Sequence, residues 1–81
     1  MNQERAAMRG RLAEKKEQVA KLKLRIEGNA RLLREGLNPA LVPVEEMEVP
    51  LLAEQFDELT MAWGELQATR SEIARLEREL A

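Results

Sequence analysis

The chain has 81 residues, 44% of them hydrophobic, 35% charged and only 2% aromatic, and it contains no His, Cys or Tyr. That profile belongs to long amphipathic helices and coiled coils. It excludes disulfides, thiolate or imidazole metal sites and imidazole-assisted nucleophiles. Two helices of this size bury only one stripe each, so self-association is the expected remedy for a thin core.

Charge is distributed unevenly. Residues 1–40 carry ten Lys/Arg against five Glu, a net of +5, whereas residues 41–81 carry three Arg against ten Asp/Glu, a net of −7. The halves attract each other over a range that salt limits to about 8–10 Å. The opening MNQERAAMRGRLAEKKEQ has no apolar run suited to a signal peptide, and nowhere do about 18 apolar residues follow one another. No membrane partner is expected, and a cytoplasmic location is the default reading.

In chain order, a helix is predicted over residues 3–35. Leu12, Val19, Ile26 and Leu33 recur one heptad apart, with Met8 and Leu22 at interleaved positions and Lys15 and Asn29 interrupting that second row. Asn2 can cap its start and Glu4 complements its dipole. Glu17/Lys21 and Glu27/Arg31 have the spacing of i,i+4 ion pairs. Gly36 is expected to end the helix in the left-handed conformation, with Pro39 preventing its continuation.

Residues 36–49 form the linker. It contains two prolines, Pro39 and Pro43, and ends against a third, Pro50. It is also apolar, with Leu37, Leu41, Val42, Val44, Met47 and Val49. Such a composition predicts a loop that folds back over the hairpin end and seals it, with a helical turn near Val44 to Met47.

A second helix is predicted over residues 50–80, with Pro50 in its first turn, where a missing N–H is harmless. Leu52, Leu59, Leu66, Ile73 and Leu80 form one heptad row, and Phe56, Trp63, Arg70 and Glu77 are taken as the other. Matched helices joined by one loop favour an antiparallel pair. Aligning residues whose numbers add to 85 gives layers Leu33/Leu52, Asn29/Phe56, Ile26/Leu59, Leu22/Trp63, Val19/Leu66, Lys15/Arg70, Leu12/Ile73 and Met8/Glu77. The Lys15/Arg70 layer joins two cations, which must be wet or completed by carboxylates of another chain. Leu24, Leu32, Met61 and Leu76 fall off this seam and suggest a second interface.

No cofactor or metal is expected. Glu45, Glu46 and Glu48 are the one dense acidic group, and they lack the alternating ligands and glycine of a calcium loop. The hydroxyls of Thr60, Thr69 and Ser71 have no His to activate them, so the chain reads as non-enzymatic. Nucleic acid is the alternative partner, through Lys16, Lys21, Lys23, Arg25, Arg31 and Arg34 of the basic helix. Interleaved glutamates and the absence of stacking aromatics on that helix weigh against it.

The segments LKLRIEGNARLLREGLNP (Leu22 to Pro39), PVEEMEVPLLAEQFDEL (Pro43 to Leu59) and WGEL (Trp63 to Leu66) resemble small helical proteins encoded in Mu-like transposable prophages. The resemblance implies a bacterial or phage origin and a cytosolic setting. It carries no biochemical function and no site residue onto this chain.

The sequence therefore predicts one all-α domain over residues 1–81, an antiparallel coiled-coil hairpin that dimerises into a four-helix bundle. Its expected pairing seam is Leu12, Val19, Leu22, Ile26, Leu33, Leu52, Phe56, Leu59, Trp63, Leu66 and Ile73. The expected function is protein–protein interaction, as a scaffold or regulatory accessory protein with an unidentified protein partner. The same heptads and charges would also be satisfied by a domain-swapped dimer.

Overall fold

The computed structural model describes residues 2–81, which form helix α1 (Asn2–Gly36), a single 3-10 turn (Val44–Glu46) and helix α2 (Val49–Leu80). The helices run antiparallel. At the loop end Leu52 lies against Gly36, and at the open end the Arg5 guanidinium donates a 2.8 Å hydrogen bond to the Leu80 carbonyl. The result is a rod of 63 × 15 × 15 Å with a radius of gyration of 18.2 Å. A compact domain of this length would have about 12 Å.

Helix α1 buries one stripe, at seven-residue recurrences. Leu22 and Leu33 are buried, and Met8, Leu12, Lys15, Val19, Ile26 and Asn29 are half-buried. Helix α2 departs from the expected pairing. Its Leu row is inward, with Leu52 and Leu66 buried and Leu59 and Ile73 half-buried, but the second inward row is Gln55, Ala62, Thr69 and Leu76. Phe56 and Trp63, expected on the seam, are each 57% exposed, and Leu76, expected off it, is 2% exposed.

Heptad spacing alone allows either row, because inward positions alternate by three and four residues. Packing and charge decide between them. The Ala62 methyl is fully enclosed and lets α1 approach closely, so that Leu22, Ala62 and Leu66 form the core with Val19 and Ile26 against it. The same rotation brings Glu58, Glu65, Glu72 and Glu79, each one residue before an inward Leu or Ile, alongside the basic helix.

The register shifts with the rotation. Gly36 and Leu52, whose numbers add to 88, are in contact, three residues away from the expected alignment. Carried along both stripes, this sets Leu22 level with Leu66, Ile26 with Ala62, Asn29 with Leu59 and Lys15 with Ile73. The expected layer of two cations does not form, since Arg70 is exposed.

The ends also differ from expectation. Asn2 lies within α1 rather than ahead of it, and α1 continues through Gly36 without a left-handed residue. Gly36 packs closely on the Leu52 side chain: a Cβ there would stand 2.5 Å from Leu52 Cδ2, so a larger residue would have to displace that terminal methyl. The chain then turns on Asn38, whose side-chain oxygen accepts from the Ala40 N–H (3.0 Å) and whose carbonyl accepts from Leu41 and Val42. The loop does not seal the core with its apolar residues. Val42 and Met47 are half-buried, but Leu37, Leu41, Val44 and Val49 are 53–69% exposed.

Candidate functional site

Two flanks run alongside the seam, and the sequence makes them unlike. On one, residues just before the inward Leu row of α2 face the corresponding positions of α1. Lys15 Nζ lies 2.9 Å from a Glu72 carboxylate oxygen, and Arg25 reaches Glu65 at 3.9 Å. Lys15, although on the inward stripe, thus extends its ammonium sideways to an anion, as a long amphipathic side chain can. The hydrogen bond from Lys15, and then its positive charge, hold the Glu72 carboxyl below the usual glutamate range. The expected pairs Glu17/Lys21 and Glu27/Arg31 are not closed; among the described residues Arg75–Glu79, at 3.1 Å, is the ion pair of i,i+4 spacing. Fully hydrated partners gain little by closing.

The opposite flank carries an apolar groove. It has a volume of about 400 Å³ and is lined by Ile26, Ala30, Phe56, Leu59, Thr60 and Trp63. Thr60 presents little polarity there, because its hydroxyl donates back to the Phe56 carbonyl at 3.0 Å. Seven-residue steps continue this flank towards the open end through Lys23, Lys16 and Arg9 on α1 and through Arg70 and Glu77 on α2. The flank is thus apolar near the loop and charged, mainly by cations, beyond it.

A second cleft, about 500 Å³, lies at the loop end. Leu32, Leu41, Val42, Leu51 and Leu52 line it together with Glu35, Glu46 and Glu48. Between the helices one polar group stands out: the Asn29 side-chain nitrogen is buried and has no hydrogen-bond partner. Thr69, also inward and 5% exposed, satisfies its hydroxyl on the Glu65 carbonyl at 2.8 Å.

Of the expected seam, the structure brings Leu12, Val19, Leu22, Ile26, Leu33, Leu52, Leu59, Leu66 and Ile73 to the inter-helix face, and it places Phe56 and Trp63 on the groove flank. Ala62, Thr69 and Leu76 were missed. The line of glutamates at 58, 65, 72 and 79 is the signal that finds them, since a seam through Phe56 and Trp63 would turn that line away from the cations. The six basic residues considered for nucleic acid do not share one face. Lys16 and Lys23 follow the groove flank, while Arg25 is on the opposite flank against Glu65.

Among the described residues no three His, Cys, Asp or Glu side chains converge as a metal site, and no helix is long and apolar enough to cross a membrane. Comparison with family models, curated proteins and solved structures finds no match.

Proposed function

We propose that this chain is a non-enzymatic interaction protein, a scaffold or regulatory accessory, that acts as a self-associating helical hairpin and in its simplest form is a homodimer with four helices. The observation that carries this reading is the exposure of Phe56 and Trp63, 57% each, beside a nearly uninterrupted apolar groove. Aromatic side chains bury about 150–250 Å² each when covered. Covering the exposed half of each is worth about 2–3 kcal/mol at 25 cal/mol per Å².

Total surface supports the same reading. The chain exposes 6270 Å² at a mass of 9.3 kDa, where a compact monomer would expose about 5,000 Å². The excess is more than the roughly 800 Å² that each partner hides in a stable interface.

Trp63 is the sole tryptophan, so it reports directly on the groove. Dilution from tens of micromolar should shift its emission to the red as light scattering falls from a dimer mass towards that of the 9.3 kDa chain. A folded monomer throughout that range, with unchanged emission, would overturn the proposal.

A further inference from the structure

The loop-end cleft lies on the flank opposite the groove. Leu32 is one heptad step from Arg25 and Leu51 two from Glu65, so the cleft continues the line on which the ion pairs form. The pairing stops short of it. Glu35, Glu46 and Glu48 border the cleft, and among the described residues none of them meets a Lys or Arg, nor does Glu58, the next acid on that line. Residues 35–58 hold seven Asp/Glu and no Lys or Arg, so no cation of the same segment can neutralise them. Leu32, Leu41 and Leu51 meanwhile stay 46–64% exposed on the cleft walls.

The shape of the cleft is set within the chain. The Glu46 N–H donates to the Pro43 carbonyl and the Leu52 N–H to the Glu48 carbonyl, each at 3.0 Å, which fixes the loop wall against the start of α2. Its volume of about 500 Å³ falls within the roughly 300–1,000 Å³ of ligand clefts. The carboxylates do not converge as a metal site; Glu35 stands on α1 and Glu46 and Glu48 on the loop, so an occupant must bring positive charge to separate places. Exposed ion pairs contribute little alone. Beside leucines that the same occupant covers, water is excluded and each pair strengthens.

Going beyond self-association, we infer that the loop-end cleft docks an amphipathic segment of a different protein. Its apolar side chains cover Leu32, Leu41 and Leu51, and the Lys or Arg residues beside them meet Glu35, Glu46 and Glu48. A helix whose apolar row is bordered by cations has this form, and the uncompensated charge of residues 35–58 steers it to the loop end. A second copy offers no such row. The apolar stripe of its basic helix is turned into its own core, which leaves Leu24 and Leu32 as the large exposed apolar residues of α1.

The test is the fluorescence anisotropy of a labelled peptide of about 14 residues, with Leu at i, i+3, i+4 and i+7, Lys bordering that row and Gln elsewhere. Two twins, one with Glu for Lys and one with Ser for Leu, separate charge from apolar contact. The chain should bind the Leu/Lys peptide and neither twin. Glu46→Lys combined with Glu48→Lys should weaken binding about tenfold or more, and Leu41→Ser should weaken it too. All three positions are exposed, so helical circular dichroism should persist; if the charge reversal loses it, Glu46→Gln with Glu48→Gln decides. Trp63→Ala, on the groove, should leave peptide binding intact. Absence of saturable binding, equal binding of either twin, or binding that the cleft variants leave unchanged overturns the inference. So does loss of binding in Trp63→Ala, which would move the segment to the groove. A lower light-scattering mass for the peptide-free cleft variants than for the wild-type chain would give the cleft to a second copy and overturn it as well.

Discussion

The two flanks of this hairpin are built from the same two helices and the same heptad repeat, yet beyond the loop-end cleft one is closed by ion pairs within the chain and the other is open. On the first, Lys15 and Arg25 meet Glu72 and Glu65. On the second, Phe56 and Trp63 meet nothing large enough to cover them. Charged side chains reach across a flank while their ends stay hydrated, so intrachain pairs satisfy them. Aromatic rings need a facing surface. In a two-helix protein the flank that carries them is therefore the flank that can attract company.

The largest expected effects separate core from groove. Leu66 is buried between the helices, so Leu66→Ala should lower unfolding stability by about 2–5 kcal/mol in a denaturant titration. Trp63→Ala should instead act mainly on association. Its signature is loss of the concentration dependence of the melting temperature, with helical circular dichroism retained at high concentration. If Trp63→Ala unfolds the chain as Leu66→Ala does, at every concentration, the division between the flanks is wrong.

The sequence was most legible where one residue type repeats without competition. The stripe of α1, the Leu row of α2 and the three-part organisation follow from apolar spacing and from Pro39, Pro43 and Pro50. Illegible was the choice between two candidate rows on α2, because large aromatics at 56 and 63 look more like core than Gln55, Ala62 and Thr69 do. Burial favours fit over hydrophobicity: Ala62 is the better inward residue because its small side chain permits close approach to Leu22 and Ile26. The groove was illegible for the same reason, since residues assigned to the core were not available to a surface. Gly36 misled in a related way, since it lies close against the Leu52 side chain and does not take a left-handed conformation.

Asn29 offers the next test of the seam. Its side-chain nitrogen is buried without a partner, a condition that costs about 1–3 kcal/mol. Asn29→Leu should therefore raise stability by a comparable amount. A polar residue on an inward row can also fix alignment, so the same variant should broaden register, visible as multiple or broadened amide resonances for the seam residues. Loss of stability would mean that Asn29 finds a partner in the assembled protein.

Smaller still is the effect expected at Gly28, on the outer side of α1, where an added Cβ meets no atom within 4 Å. Gly28→Ala should gain about 0.5–1 kcal/mol from helix propensity alone. It should leave association unchanged, because the position faces away from the groove. Weaker association would place a neighbour on the outer side and so break the contrast between the flanks.

The closed flank makes the smallest prediction, and its sign follows from the Lys15–Glu72 pair. Lys15 holds the folded Glu72 carboxyl below its ordinary range. A depressed carboxylate contributes stability that is fully present above the unfolded glutamate pKa of about 4.3. That contribution fades as pH falls through the lower folded value. Glu72→Gln should consequently flatten the acid side of the stability profile below about pH 4.3, while barely altering stability at salt concentrations that screen exposed charges. Lys15→Met should flatten most of the same limb, because it removes the hydrogen bond and charge that shift Glu72 most, and the double variant should match Glu72→Gln alone. Lys15→Met should leave the smaller share that the Arg75 charge contributes, and an acid limb as steep in Lys15→Met as in the wild-type chain would show that Lys15 does not hold Glu72.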